Sequence, residues 1–269
     1  MTGVDIIIVN YNTRADLAAC LRSLTTAPPA QPHTITVVDN ASSDGSLDSV
    51  RAEFTSVAVI EMGRNAGFAA ANNAGIRATS LPFALLLNSD TLVPAGAIDT
   101  LSARLEASGA VAAGPKLVDA DGRPEISWGA MLSPWSEWIQ SRRIAAARST
   151  LPQARRRVDA LTSADRRVDW VSGACLLVRR EAALRAGLLD ERYFMYEEDV
   201  DFCAALRKQG GSILFTPAST VIHLRGRSRA TAAPQRPSHY DVSHLAFYAK
   251  HAPAWLPLLR MWKRLRGRL

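Results

Sequence analysis

Val4-Asp5-Ile6-Ile7-Ile8-Val9, followed at once by Asn10-Tyr11-Asn12, decides how the rest of the chain is read. It is a β-branched apolar run, long enough for one buried strand, that stops on turn-prone amides. The same pattern recurs twice nearby. Thr34-Ile35-Thr36-Val37-Val38 stops on Asp39-Asn40-Ala41-Ser42-Ser43-Asp44-Gly45, and Pro82-Phe83-Ala84-Leu85-Leu86-Leu87 stops on Asn88-Ser89-Asp90. A shorter run, Val57–Ile60, lies between them. Helical segments are expected at about Ala15–Leu24, Ser46–Glu53 and Gly67–Ala78. Near-continuous apolar strands alternating with helices predict a mostly parallel sheet covered on both faces, an α/β fold. Ligands of such sheets bind outside the carboxyl ends of the strands. Asn10/Asn12, Asp39/Asn40 and Asn88/Asp90 all fall there. Neither GxGxxG nor GxxxxGK[ST] is present, so the usual phosphate cradles are missing.

Beyond residue 125 the pattern is less regular. Two helices are expected in the Trp- and Arg-rich stretch 125–170, then a strand at Val171–Val178 and a helix from Asp199 to Gln209 ended by Gly210-Gly211. Last strands are expected at Ile213–Phe215 and Thr220–Ile222. No linker divides the chain. The expectation is one domain over 1–228, with a nucleotide-binding half (1–95) and an acceptor-binding half (96–228), carrying a helical basic appendage at 229–269.

Tyr193-Phe194-Met195-Tyr196-Glu197-Glu198-Asp199-Val200-Asp201 places four carboxylates within five positions in a chain of net charge +7. Such acids repel one another, and neighbouring rings disfavour their charged forms. Clusters of this kind mark functional sites, although acids also suit the first turn of a helix. Asp90, with Asn88 two residues before it, offers oxygen ligands to Mg2+ or Mn2+, and His223 at a strand end could be a second protein ligand. Arg225 and Arg227 follow in a loop able to close on phosphate oxygens. Asp39 could accept from a ribose or base, or could cap the next helix. Arg64-Asn65-Ala66-Gly67-Phe68 and Asn72-Asn73 supply amides and a glycine permitting close approach.

Cys20, Cys175 and Cys203 are odd in number and lie in apolar stretches, fitting reduced thiols of a cytoplasmic protein. Asp5 interrupts the first apolar run, which argues against a signal peptide, and no stretch approaches the roughly 20 residues of a bilayer span. Residues 140–168 hold eight arginines against two acids, and 255–269 hold five basic residues and no acid. In the tail Leu258, Met261, Trp262 and Leu265 share a helical face, the pattern of an interfacial helix; docking on the core is the alternative.

In this order, the motifs resemble glycosyltransferase family two, the inverting enzymes with a GT-A fold. Those that match are Val9–Asn12, Val37–Ser46, Asn65–Gly75, Leu87–Asp90, Ser172–Ala174 and Glu198–Asp201, spread over residues 4 to about 228. The resemblance implies that Asn10, Tyr11, Asn12, Asp39, Asn65, Gly67, Asn72, Asn88, Ser89, Asp90, Arg225 and Arg227 face the nucleotide-sugar donor. It makes Asn88-Ser89-Asp90 the metal-binding DXD equivalent, with Asn88 replacing the first acid. It assigns the catalytic base to Asp199, with Glu198 its partner or the base itself, and the acceptor side to Trp128, Gly173 and Ala174. His223–Ser228 and Phe194–Asp199 are similar to rhamnosyltransferase-like members. They imply L-rhamnose from dTDP-rhamnose as donor, a glycan or polyprenyl-diphosphate-linked acceptor, cell-surface polysaccharide synthesis, and a peripheral place on the inner face of the cytoplasmic membrane. Homodimerisation is left open. Competing readings are a UDP- or GDP-sugar donor, a metal-dependent nucleotidyltransferase, for which residues 9–14 lack a basic glycine loop, and a non-catalytic binder of nucleotide-sugar or nucleic acid.

Overall fold

A computed structural model describes residues 3–224 and 237–268. In chain order the elements are β1 (Val4–Asn10), α1 (Arg14–Thr26), β2 (His33–Asp39), α2 (Ser46–Glu53), β3 (Ala58–Glu61), α3 (Phe68–Ala78), β4 (Phe83–Asn88), β5 (Thr91–Leu92), α4 (Ala97–Ser108), β6 (Ala112–Val118), β7 (Trp128–Gly129), α5 (Pro134–Ala147), α6 (Pro152–Leu161), β8 (Arg166–Val168), β9 (Trp170–Val171), β10 (Cys175–Arg179), α7 (Arg180–Arg185), α8 (Glu198–Lys208), β11 (Ile213–His223), α9 (His239–His251) and α10 (Leu256–Leu265).

The main sheet runs β3-β2-β1-β4-β10-β6-β11-β5, with β8 also on β11. Its first half is parallel, as the apolar runs require, and the register sets Asn10 beside Asp39 and Val9 beside Asn88. The polar ends of three strands therefore form one edge. Asp5, an acid within β1, is buried because its two oxygens accept from Thr34 Oγ1 (2.6 Å) and the Leu81 N–H (2.6 Å).

The second half departs from a purely parallel reading. β10 enters antiparallel between β4 and β6. The two expected last strands are one, β11, whose register against β6 shifts between Thr216 and Thr220. Pro115 of β6 faces that irregularity; a proline cannot donate to a ladder, which is also why Ala112–Val118 does not read as a strand from sequence. Apolar layers cover both faces of the sheet: α1, α2 and α4 with one, α3 and α8 with the other.

α9 and α10 close over the acidic segment. Phe247 and Tyr248 pack with Tyr193 and Val200, joined by Leu256 and Leu259. Lys263 is fully buried, and its Nζ donates to Asp241 Oδ1 at 2.6 Å, with Arg268 on the same oxygen at 2.9 Å. Removing one member of a buried pair strands the other. Lys263→Met is expected to destabilise the fold by about 3 kcal/mol, seen as a lowered melting temperature; an unchanged one would show that Arg268 alone satisfies Asp241. The tail helix both docks and stays amphipathic. Leu256 and Leu259 face inward, while Leu258, Met261, Trp262 and Leu265 remain exposed. Among the described residues no helix is long and apolar enough to cross a membrane.

Candidate active site

The strand ends are tied into one polar network. Asn10 Nδ2 donates to Asp39 Oδ1 (2.8 Å) and to Ser42 Oγ (2.9 Å), while Thr13 Oγ1 donates to Asn10 Oδ1 (2.7 Å) and meets Ser89 Oγ at 2.8 Å. The Ser42 N–H donates to Asp39 Oδ2 at 2.8 Å and the Ser43 N–H to Asn12 Oδ1 at 2.7 Å. Asn10 is fully buried with its amide engaged at both ends, so it shapes the crevice. Asp39, holding bonds on both oxygens, keeps spare acceptor capacity. Tyr11 is exposed at the rim. Asn12 (φ 53°) and Ala41 (φ 64°) take left-handed backbone here, strain of the kind that collects at sites.

Asp90, buried after β4, points Oδ1 at His223 Nε2, 3.3 Å away at the end of β11. The other ring nitrogen lies 3.3 Å from Glu125 Oε2. Burial alone would lower the imidazole pKa, but the bonds to Asp90 and Glu125 outweigh it and raise it to about 9. Among the described residues no three His, Cys, Asp or Glu side chains converge as a closed metal cage. A cation entering here would displace the proton that His223 Nε2 shares with Asp90, leaving an open oxygen–nitrogen pair that suits a divalent ion completed by diphosphate oxygens and water. A ligating histidine is normally oriented through its second nitrogen by a carboxylate, and Glu125 stands in that place. Nothing in the sequence links positions 125 and 223.

The acidic cluster opens α8. Tyr196 (φ 73°) and Glu197 (φ 66°) are consecutive left-handed residues, a kink that aims the next two carboxylates. Asp199 Oδ2 accepts from the Gly173 N–H at 2.8 Å and Oδ1 from the Val200 N–H at 2.8 Å. The residue as a whole is half-buried, with its carboxyl enclosed by protein atoms. Burial raises its pKa, opposed by those N–H donors. Glu198 is raised further, by burial and then by Asp199, and its buried Oε2 has no hydrogen-bond partner. Asp201 is structural: it takes Lys250 Nζ (2.8 Å), His251 Nε2 (2.5 Å) and the Tyr193 hydroxyl (3.3 Å).

Burial, followed by the charges of Asp199 and Glu137, pushes Glu197 up to about 8. Between about pH 4.5 and 8 the folded state therefore binds more protons at this position than the unfolded chain. The stability it contributes is full at the acid end and is lost as pH rises. Glu197→Gln is expected to be more stable than the parent at pH 8 by about 4 kcal/mol, read as a higher melting temperature, with the gap closing toward pH 5. A gap independent of pH would show that Glu197 is ionised throughout.

The loop 172–174 joins the two halves of the site. The Asn88 N–H donates to Ala174 O at 3.0 Å while Gly173 holds Asp199. A Cβ added at Gly173 would lie 3.3 Å from the Asp199 Cβ. The other expected site residues are placed differently. The close approach that Gly67 (φ 89°) permits is that of Phe194, whose carbonyl would stand 2.6 Å from an added Cβ. Asn65 Oδ1 accepts from the Gly67 N–H at 3.2 Å and holds that turn. Asn72 is buried in α3, donating to Phe68 O at 3.0 Å. Trp128 is buried against Phe215, with Arg143 and Arg166 over its ring. Its ring thus offers an acceptor little open surface. Arg225 and Arg227 lie outside the described residues.

Residues 2–240 match the sequence profile of the family described as Glycosyltransferase like family 2. The chain is 30% identical over 296 residues to the N-acetylglucosaminyl-diphospho-decaprenol L-rhamnosyltransferase of Mycobacterium tuberculosis, covering 100% of this chain and 91% of that one. Over 56 residues (21% of each chain) it is 41% identical to Rhamnosyltransferase WbbL of Escherichia coli. Among solved structures, GalNAc-T7 with UDP, GalNAc and Mn2+ superposes with a TM-score of 0.67 at 18% identity, over 95% of this chain and 50% of that one. The mannosyltransferase PcManGT of Pyrobaculum calidifontis, in complex with GDP-Man and Mn2+, gives 0.58 at 16% identity, over 96% and 73%. This chain thus spans half of the GalNAc-T7 chain, and the likeness to both is one of fold, GT-A. A buried acid at the end of the fourth strand, a carboxylate held at the start of α8, and a family match across nearly the whole of both chains lead to one conclusion: the chain belongs to the glycosyltransferase family 2-like proteins.

Proposed function

We propose that this transferase moves L-rhamnose from dTDP-rhamnose, with inversion, onto a saccharide carried by a polyprenyl diphosphate. The observation that carries the reading is Asp199: a carboxylate of raised pKa on a half-buried residue, fixed by the Gly173 N–H and joined through loop 172–174 to the strand end bearing Asp90. An inverting transfer needs one base to take the acceptor hydroxyl proton as that oxygen attacks the anomeric carbon. Asp199 fills that role, and Gly173 keeps it from rotating away. Asp39 and the Asn12 turn face the nucleoside. Asp90 and His223 would hold a divalent cation, which would supply positive charge to the departing diphosphate. The rhamnosyl group and the lipid-linked acceptor are supported by the name of the relative that matches along the whole chain, and the dTDP carrier by the likeness of Phe194–Asp199 to rhamnosyltransferase-like members. The exposed Leu258, Met261, Trp262 and Leu265, together with the basic tail, suit a peripheral place on a membrane surface.

The test is an assay with dTDP-rhamnose, UDP-sugars and GDP-sugars against a GlcNAc-diphosphoryl prenol, with Mn2+, Mg2+ or chelator. The expected product comes from dTDP-rhamnose alone, needs the cation, and carries an anomeric configuration opposite to that of the donor by NMR. Turnover of a UDP- or GDP-sugar instead, or retention of configuration, would refute the corresponding part.

A further inference from the structure

The helices α5 and α6 leave a groove of about 580 Å³ between them. Its walls mix two chemistries. Trp138, Ile139 and Leu161 supply apolar surface, and Arg142, Arg143 and Arg157 supply charge. No carboxylate lines it. No ion pair recorded among the described residues involves these three arginines. Arg143 is depressed below its usual range by burial, then by the nearby Arg166 and Arg157. Cations crowded without a counter-ion are a standing electrostatic deficit, which an anion of matching geometry relieves. Arg143 and Arg166 stack over the Trp128 ring, at 5.3 and 5.5 Å from its centroid. Arg166 spends its Nε and Nη2 on Leu161 O (3.0 Å) and Ala160 O (3.3 Å), so Arg143, which lines the groove, is the one of the two placed to meet phosphate oxygens.

The groove also connects to the base. Trp128 pairs with Val171, Ser127 O accepts from the Ser172 N–H at 2.8 Å, and the next residue, Gly173, holds Asp199. Gln140 Nε2, donating to Trp128 O at 2.9 Å, fixes α5 to this ribbon. Val171, the partner of Trp128 across the ribbon, thus lies two residues before the residue holding the base. That spacing suits a ligand with a sugar at one end, a diphosphate next and a hydrocarbon beyond.

We infer that the α5–α6 groove seats the diphosphate and first isoprene units of the acceptor, with Arg142, Arg143 and Arg157 on the phosphates and Trp138, Ile139 and Leu161 on the chain. This rests on the lipid-linked acceptor proposed above and adds where this chain grips it. Trp135 and Trp138, stacked at 4.9 Å and both exposed, stand beside the groove where the hydrocarbon would leave for the bilayer.

The test is calorimetric titration of the full-length chain with farnesyl diphosphate, with farnesol, inorganic diphosphate and phosphatidylglycerol vesicles as comparisons. The parent should bind farnesyl diphosphate at least tenfold more tightly than farnesol or inorganic diphosphate. The double variant Arg142→Ala/Arg157→Ala, which changes two exposed side chains, should bind it at least tenfold more weakly, about 1.4 kcal/mol, while binding dTDP as the parent does. Leu161→Ser should weaken farnesyl diphosphate and leave inorganic diphosphate unchanged. Equal affinity of parent and double variant, inorganic diphosphate binding as tightly as the prenyl form, or a defect confined to vesicles would overturn the assignment. Because binding is read and not transfer, a parent inactive on every acceptor would sink the proposed function without deciding this result.

Discussion

Asp199→Asn is expected to lower sugar transfer by about 10³-fold or more while dTDP still raises the melting temperature as in the parent. The amide keeps the size of the carboxylate and one oxygen to accept from Gly173, so the loop stays in place. What disappears is the ability to take a proton. Glu198→Gln separates this from a general effect of removing charge. Glu198 is more deeply buried, one of its oxygens meets no donor, and its pKa lies well above the carboxylate range. A group so placed holds its proton more firmly than Asp199 does and serves less well as a base, so its amide variant should keep most of the activity. The base works in its ionised form, so kcat/KM should rise with pH through the elevated pKa of Asp199, placing the acid limb above the ordinary carboxylate range. That limb should be missing from whatever activity Asp199→Asn retains. Full activity in Asp199→Asn together with loss in Glu198→Gln would exchange the two roles.

The first half of the sheet is legible in the sequence for a physical reason. Strands buried on both faces need uninterrupted apolar residues, and Ile6–Ile8, Val37–Val38 and Leu85–Leu87 have them. The crevice follows, because polar residues that end parallel strands share an edge. The second half hides its plan. β6 carries Gly114 and Pro115, and β10 turns antiparallel with no local mark of direction. Individual roles are less legible than location. Asn10, Asn65 and Gly67 carry motif positions, yet each holds protein to protein: Asn10 braces Asp39, Asn65 caps a turn, and Gly67 makes room for Phe194. Glu125 is the converse, an acid in an irregular segment that matters only once the fold has brought it to His223 across 98 positions. The acidic cluster shows both sides. Its density signals a site, but only the partners from α9, Lys250 and His251, show that Asp201 is a structural acid.

Asp90→Ala is expected to reduce transfer by about 10³-fold with no recovery at high Mn2+, because Asp90 is the sole acid at the end of β4, where Asn88 occupies the other motif position. In the proposed reading that replacement leaves His223 as the second protein ligand. His223→Ala should then cost nearly as much, and Glu125→Gln less, about 10–100-fold, the usual range for a carboxylate that orients a ligating histidine. The three variants differ in how they answer to Mn2+. Glu125→Gln leaves both ligands present but removes the charge that strengthens the bond at Nδ1, so its defect is one of affinity and should shrink as Mn2+ is raised. Asp90→Ala removes a ligand and should stay low at every concentration. Asn88→Asp tests the same logic in the other direction: restoring the second acid should lower the Mn2+ concentration needed for half-maximal activity and weaken the dependence on His223. If Asn88→Asp leaves the Mn2+ requirement unchanged, Asn88 faces away from the cation, and the metal-holding role rests with Asp90 and His223 alone.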